Sequence, residues 1–221
     1  MTVTVALLGT GLLGSAIASR LLAVGCSLRI WNRDRARCEP LISAGAQCFD
    51  NPAQAIAGAS TVITVLRDGP VTSEVVASLG ALNQSCVMPM GTMGISESVA
   101  LEAQVLHRGG LYLEAPVLGS RPEALAGRLL VMAGGEQAVF DQQRVLLSHL
   151  AEEPKRMGPV GTGAASKLAL NQLIASLTHG YSLALRLVQA SGLDVDSLMD
   201  VLRPSALYAP TVDKKRRRML A

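Results

Sequence analysis

Three glycines at positions 9, 11 and 14 carry the first chemical signal in the chain. They stand in Gly9-Thr10-Gly11-Leu12-Leu13-Gly14, after the β-branched run Thr2 to Leu8 and before a segment whose Ile17, Leu21 and Leu22 recur at helical spacing. In a strand–turn–helix that grips two phosphates each glycine has its own task. Gly9 permits the tight turn, Gly11 lets a pyrophosphate approach the backbone, and Gly14 lets the helix pack closely on the strand. The anion then rests on the helix N-terminus, where unpaired N–H groups and the dipole favour negative charge. Gly25 ends that helix, and Ser27 to Trp31 reads as a second strand.

The tip of the second strand selects among dinucleotides. A carboxylate there bonds a free ribose 2′-hydroxyl, but this chain reads Trp31-Asn32-Arg33-Asp34-Arg35-Ala36-Arg37. With Asn32 in the carboxylate's place and Arg33 next to it, a 2′-phosphate is the better partner, because the planar guanidinium bonds phosphate through two N–H groups at once. The expected cofactor is therefore NADP. A second reactive candidate lies far downstream. Lys167 is the only Lys, Arg, Asp or Glu between Arg156 and Arg186, and Asn171 follows one helical turn later on the same face. A lysine among apolar neighbours loses part of its hydration, which lowers its pKa and suits it to proton transfer. From the residues alone, a lysine that merely extends to water fits equally well.

The elements that must position these groups follow from periodicity. Thr61 to Leu66, Ser85 to Met88, Gly110 to Glu114 and Leu129 to Ala133 read as further strands, with helical patterns between them. That alternation predicts an α/β fold, a Rossmann-type doubly wound parallel sheet with helices on both faces. The turn-rich stretch Gly158-Pro159-Val160-Gly161-Thr162-Gly163 marks a boundary, giving a dinucleotide-binding domain over 1–160 and a helical domain over 161–221. Ala164 to Ala190 is one long periodic stretch. Asp194 opens the one clear further helix, which Pro204 stops near Arg203.

Three segments together resemble the β-hydroxyacid dehydrogenases, the group that contains 3-hydroxyisobutyrate dehydrogenase and glyoxylate/succinic semialdehyde reductase. They are the glycine motif with Trp31-Asn32-Arg33, then Glu114-Ala115-Pro116-Val117-Leu118-Gly119-Ser120, and Gly161-Thr162-Gly163-Ala164-Ala165-Ser166-Lys167-Leu168-Ala169-Leu170-Asn171. The resemblance implies that Lys167 is the catalytic acid/base and that Asn171 orients substrate or lysine. It implies a cofactor-binding set of Gly9, Gly11, Leu12, Leu13, Gly14, Asn32, Arg33, Leu66 and Thr92, with Gly119 and Ser120 on the substrate side. Where the family's second motif carries a serine against the substrate carboxylate, this chain has Leu118. Gly91 likewise stands where a serine is usual. Family members continue through several more helices, so the all-α domain is expected to be truncated here.

Composition bounds the remaining classes. Hydrophobic residues make up 49% of the 221, charged residues 17% and aromatics 3%, which supports an aliphatic core and argues against disorder. Cys26, Cys38, Cys48 and Cys86 show no metal-ligand spacing and read as reduced thiols, so no metal is expected. The N-terminal stretch lacks the basic start of a secretory signal, and no apolar run is long enough to span a membrane. A cytoplasmic protein acting on a small carboxylic acid is the expectation, reducing an aldehyde- or keto-acid or oxidising the hydroxyacid. The nearly all-round apolar stretch from Leu168 to Val188 adds the expectation of a homodimer. Two other readings compete: a non-catalytic NADP-binding scaffold, and a nucleic-acid-associated protein acting through Lys214-Lys215-Arg216-Arg217-Arg218. A net charge of +3 disfavours the second.

Overall fold

The computed structural model describes residues 3–220. Thr2, the expected start of the first strand, lies outside them, as do Ala221 and the side chains of Arg218 and Leu220. Two compact units divide between Leu168 and Ala169.

The first unit opens with β1 (Thr4–Leu8), α1 (Leu12–Ala23) and β2 (Ser27–Trp31), then a 3-10 turn (Arg35–Cys38) and α2 (Glu39–Ser43). Next come β3 (Gln47–Cys48), α3 (Pro52–Ile56), β4 (Thr61–Thr64), α4 (Gly69–Ala77), β5 (Cys86–Pro89) and α5 (Ile95–His107). The chain goes on through β6 (Leu111–Glu114), β7 (Val117–Leu118), α6 (Arg121–Ala126), β8 (Leu130–Gly135), α7 (Gln137–Ser148) and β9 (Lys155–Gly158). The sheet order is β3-β2-β1-β4-β5-β6-β8-β7, with β9 on β8. From β3 to β6 every pairing is parallel, and β8 then runs antiparallel to β6. Strand order reverses beside β1, and in such sheets the crevice at the carboxyl ends of the strands there is where ligands bind.

Alternation within β1 shows why the sheet is covered twice. Val5 and Leu7 join one apolar cluster with Ile17 and Leu21 of α1 and Phe140 and Leu147 of α7. Ala6 and Leu8 face the other way and pack with Val76 of α4 and Leu101 and Val105 of α5. All are buried, and each large aliphatic side chain so placed contributes about 1.5–3 kcal/mol relative to exposure. Strands this apolar on both faces belong in the middle of a parallel sheet.

The second unit comprises α8 (Thr162–Ala190) from Ala169 onward, α9 (Val195–Leu202) and α10 (Thr211–Leu220). Asp194 caps α9, its carboxylate accepting the Ser197 N–H at 3.1 Å. The sequence suggested a single helix after α8, but α10 is a second. Val212 and Met219, two turns apart on α10, are buried with Leu185 and Met199. Asp213 ties it further by accepting from Arg203 at 3.1 Å and from the Tyr208 hydroxyl at 2.7 Å. The basic run masked this helix, because its charges crowd the positions between two well-spaced apolar anchors.

Candidate cofactor and active site

At the carboxyl end of β1 the backbone turns hard into α1. Gly9 has φ +104, and a Cβ there would lie 2.3 Å from the Val65 carbonyl oxygen. A Cβ on Gly14 would sit 1.9 Å from the Gly9 carbonyl oxygen, so the helix can approach the strand only because residue 14 has no side chain. Gly11 differs: a Cβ added there meets nothing within 4 Å. Its hydrogen therefore faces open space, the property needed for close approach of a phosphate. The opening turn of α1 has no side-chain cap and no acidic residue, so its free N–H groups and the positive end of its dipole present themselves to an anion.

Asn32 holds the loop from below. Its Oδ1 accepts the Thr10 N–H at 3.1 Å while its Nδ2 donates to the Asp34 carbonyl at 2.9 Å. The arginines that follow are not equivalent. Arg35 pairs with Asp50 at 2.7 Å and Arg37 with Asp34 at 3.4 Å. Arg33 is exposed, lines the cleft and has no carboxylate partner among the described residues. The residues present therefore fit a nicotinamide dinucleotide.

Gly9, Gly11, Leu12, Leu13, Gly14, Asn32, Arg33, Leu66 and Thr92, the complete expected cofactor-side set, line one cleft of about 820 Å³. That lies in the usual range for small-molecule sites, roughly 300–1,000 Å³. Gly91 belongs to the same wall, and a Cβ there would come to 3.0 Å from the Leu66 carbonyl oxygen, a steric reason for glycine where the family pattern has serine.

Lys167 lines the same cleft, in the second turn of α8. It is half-buried, and desolvation lowers its pKa from the ordinary 10.5. No hydrogen bond or ion pair engages its amine among the described residues. Asn171, one turn later on the same helix, is half-buried, belongs to the second unit and is not among the residues lining the cleft.

On the expected substrate side, Val117 and Gly119 line the cleft, whereas Leu118 and Ser120 do not. Strand alternation along β7 explains Leu118, which pairs with Leu130 on β8. Ser120 is committed elsewhere: its N–H and hydroxyl donate to the Glu123 carboxylate at 2.7 and 2.6 Å in a capping box that starts α6. The anion-binding turn expected at Gly119-Ser120 thus reduces to Gly119, φ +134.

Glu114 is a residue whose part in the site the sequence reading missed. It ends β6 and is 1% exposed. Its Oε1 accepts the N–H groups of Gly161 at 2.8 Å, Gly163 at 2.7 Å and Ala164 at 3.3 Å, which open α8. Its Oε2 accepts the Ser98 hydroxyl, which lies 2.8 Å from that of Tyr112. One signal was present: an acidic residue inside an apolar strand pattern, Leu111-Tyr112-Leu113-Glu114, needs buried partners.

Known proteins share this arrangement. Residues 4–161 match the NAD binding domain of 6-phosphogluconate dehydrogenase. Glyoxylate/succinic semialdehyde reductase 1 of Arabidopsis thaliana is 32% identical over 211 residues, which cover 93% of this chain and 73% of the relative. Glyoxylate/succinic semialdehyde reductase 2, the chloroplastic protein of the same plant, is 29% identical over 219 residues; the match covers 97% of this chain but only 61% of the relative's length. Among solved structures, 3-hydroxyisobutyrate dehydrogenase of Mycobacterium tuberculosis with L-serine superposes with a TM-score of 0.87 at 26% identity, covering 95% of this chain and 72% of that one. The matched domain takes in every cleft-lining residue except Lys167, and the reductase match runs on through that lysine; the chain belongs to the β-hydroxyacid dehydrogenase family.

Proposed function

We propose that this chain is an NADPH-dependent oxidoreductase that reduces a small aldehyde- or keto-acid, or oxidises the corresponding hydroxyacid, with Lys167 as general acid/base. One observation carries the reading: an unpaired, partly desolvated lysine opens onto the same cleft as the phosphate-binding turn. A nicotinamide bound there supplies the hydride. Lys167 gives a proton from Nζ to the carbonyl oxygen of the substrate during reduction and takes it back in the reverse direction. Leu66, Thr92 and Gly119 form the wall where the reacting groups meet, and Asn171 is assigned to substrate or lysine orientation on family resemblance. Arg33 bonds the 2′-phosphate and sets the preference for NADPH.

The test is an NADPH-oxidation assay with glyoxylate, succinic semialdehyde and related acids, run beside calorimetry of cofactor binding. Turnover that needs NADPH supports the proposal; cofactor binding without turnover across the panel identifies the scaffold reading instead. That alternative draws on Leu118 standing where the family has a serine and on the engagement of Ser120 with Glu123. Within the basic run, Arg216 is paired with Asp196 at 2.6 Å and Lys215 donates to Thr178 at 3.3 Å, so these two side chains are engaged inside the second unit.

Homodimerisation and cytoplasmic residence belong to the same proposal. Leu173, Leu177, Leu183 and Leu187 stand exposed on α8, an apolar stripe that a second copy would cover. No described helix is long and apolar enough to cross a membrane, and the four cysteines are free thiols, which fits a reducing compartment.

A further inference from the structure

The Glu114 carboxylate is buried and is not among the residues that line the cleft. A charge so removed from water is tolerated only where its lone pairs are filled. Here they are filled from two directions. Three backbone N–H groups of the α8 opening converge on Oε1, and the Ser98 hydroxyl, itself bonded to Tyr112, holds Oε2.

The surroundings are shaped for that carboxylate. A Cβ on Gly134 would stand 2.2 Å from Oε1, and one on Gly163 would stand 3.0 Å from Oε1 and 2.4 Å from the Met132 carbonyl oxygen. Two glycines on different elements thus leave room for the same oxygen. The negative group also meets the positive end of the α8 dipole, the favourable sense. Lys167 follows Ala164 by three residues, less than one turn beyond the last of the pinned amides.

We infer that Glu114 is a positioning residue: by clamping the first turn of α8 to the end of β6, it fixes the height and rotation at which Lys167 enters the cleft. The inference rests on the proposed role of Lys167. It assigns no chemistry to the carboxylate itself. Loss of the clamp lets the first turn fray, and a displacement of the proton donor of about 1 Å is enough to lower turnover roughly a hundredfold.

Glu114→Leu and Glu114→Gln are compared with the parent chain and with Lys167→Ala. Measured are kcat, KM, NADPH affinity by calorimetry, and hydrogen exchange at the Gly163 and Ala164 amides by NMR. In Glu114→Leu, kcat is expected to fall about ten- to a hundredfold with NADPH affinity within about twofold, and both amides should exchange faster. Glu114→Gln keeps an acceptor oxygen for the helix and should restore kcat to within about fivefold. If Glu114→Leu does not fold, Ser98→Ala releases Oε2 and should speed the same amides with a smaller loss of kcat; no change in either overturns the inference. Faster exchange with parental kcat in Glu114→Leu also overturns it, provided Lys167→Ala is inactive. An active Lys167→Ala removes the lysine reading and the positioning role together, while the exchange data still report whether the clamp exists.

Discussion

At the end of β2 three arginines lie within five residues, and ion pairing separates them. Asp50 and Asp34 engage Arg35 and Arg37, leaving Arg33, alone of these three, without a carboxylate partner among the described residues. Replacing Arg33 by alanine should weaken NADPH binding by about 1–3 kcal/mol, the worth of charge-assisted hydrogen bonds to phosphate, and leave NADH affinity unchanged. Calorimetry with both cofactors checks this, and an equal loss for both refutes the assignment. Lys167 makes a prediction in pH. Burial holds its pKa below the ordinary 10.5, and reduction needs the protonated amine. The kcat for reduction should therefore fall as pH rises through that lowered pKa, while the kcat for oxidation rises over the same interval. The same shift bears on stability. At neutral pH the folded protein holds a charge that burial disfavours, a penalty absent from the unfolded chain and gone once both forms are neutral above 10.5. Lys167→Met should abolish most turnover yet raise Tm at neutral pH, with the gain shrinking toward alkaline pH; a lowered Tm would sink this account.

The strand–turn–helix at β1 and α1 permits a test that separates folding from ligand binding. A Cβ on Gly14 collides with the Gly9 carbonyl, so Gly14→Ala should lower stability by about 2–3 kcal/mol in urea denaturation. Gly11 has an ordinary negative φ and no neighbour within 4 Å of an added Cβ, so Gly11→Ala should leave stability within about 0.5 kcal/mol. The cost of that substitution should appear only with ligand, as an NADPH affinity lower by about tenfold or more. Parental affinity in Gly11→Ala would show that phosphates do not approach there. These glycines were legible in the sequence because a strand precedes them and a helix follows. The central strands were legible for a related reason: four or more consecutive buried residues leave an unbroken apolar run. The short strands β3, β7 and β9 were not, since two to four residues, all but Val117 at least partly exposed, carry no pattern. Contacts that join distant elements stayed hidden too. Nothing local to Glu114 names Gly161 and Gly163 as its partners, whereas the Ser-x-x-Glu spacing of Ser120 and Glu123 was a local capping signal that the sequence reading did not use.

For the molecule as a whole, the open question is what covers α8. Leu187 is 72% exposed and Leu173 and Leu183 are each 57% exposed, on a helix whose own unit buries only Leu185, Met199, Val212 and Met219 together. Sedimentation at micromolar concentration is expected to show a homodimer, and Leu183→Asp with Leu187→Asp should yield a folded monomer. A parent chain that sediments as a monomer refutes the expectation. A different consequence follows from where the two units divide. Every residue lining the cleft, Lys167 included, precedes Ala169. On a ribosome the chain emerges from its N-terminus, and domains generally fold as units in that order. The residues that line the nucleotide pocket are therefore all synthesised before α9 and α10, so a nicotinamide dinucleotide that binds there is expected to stabilise the first unit without help from the second.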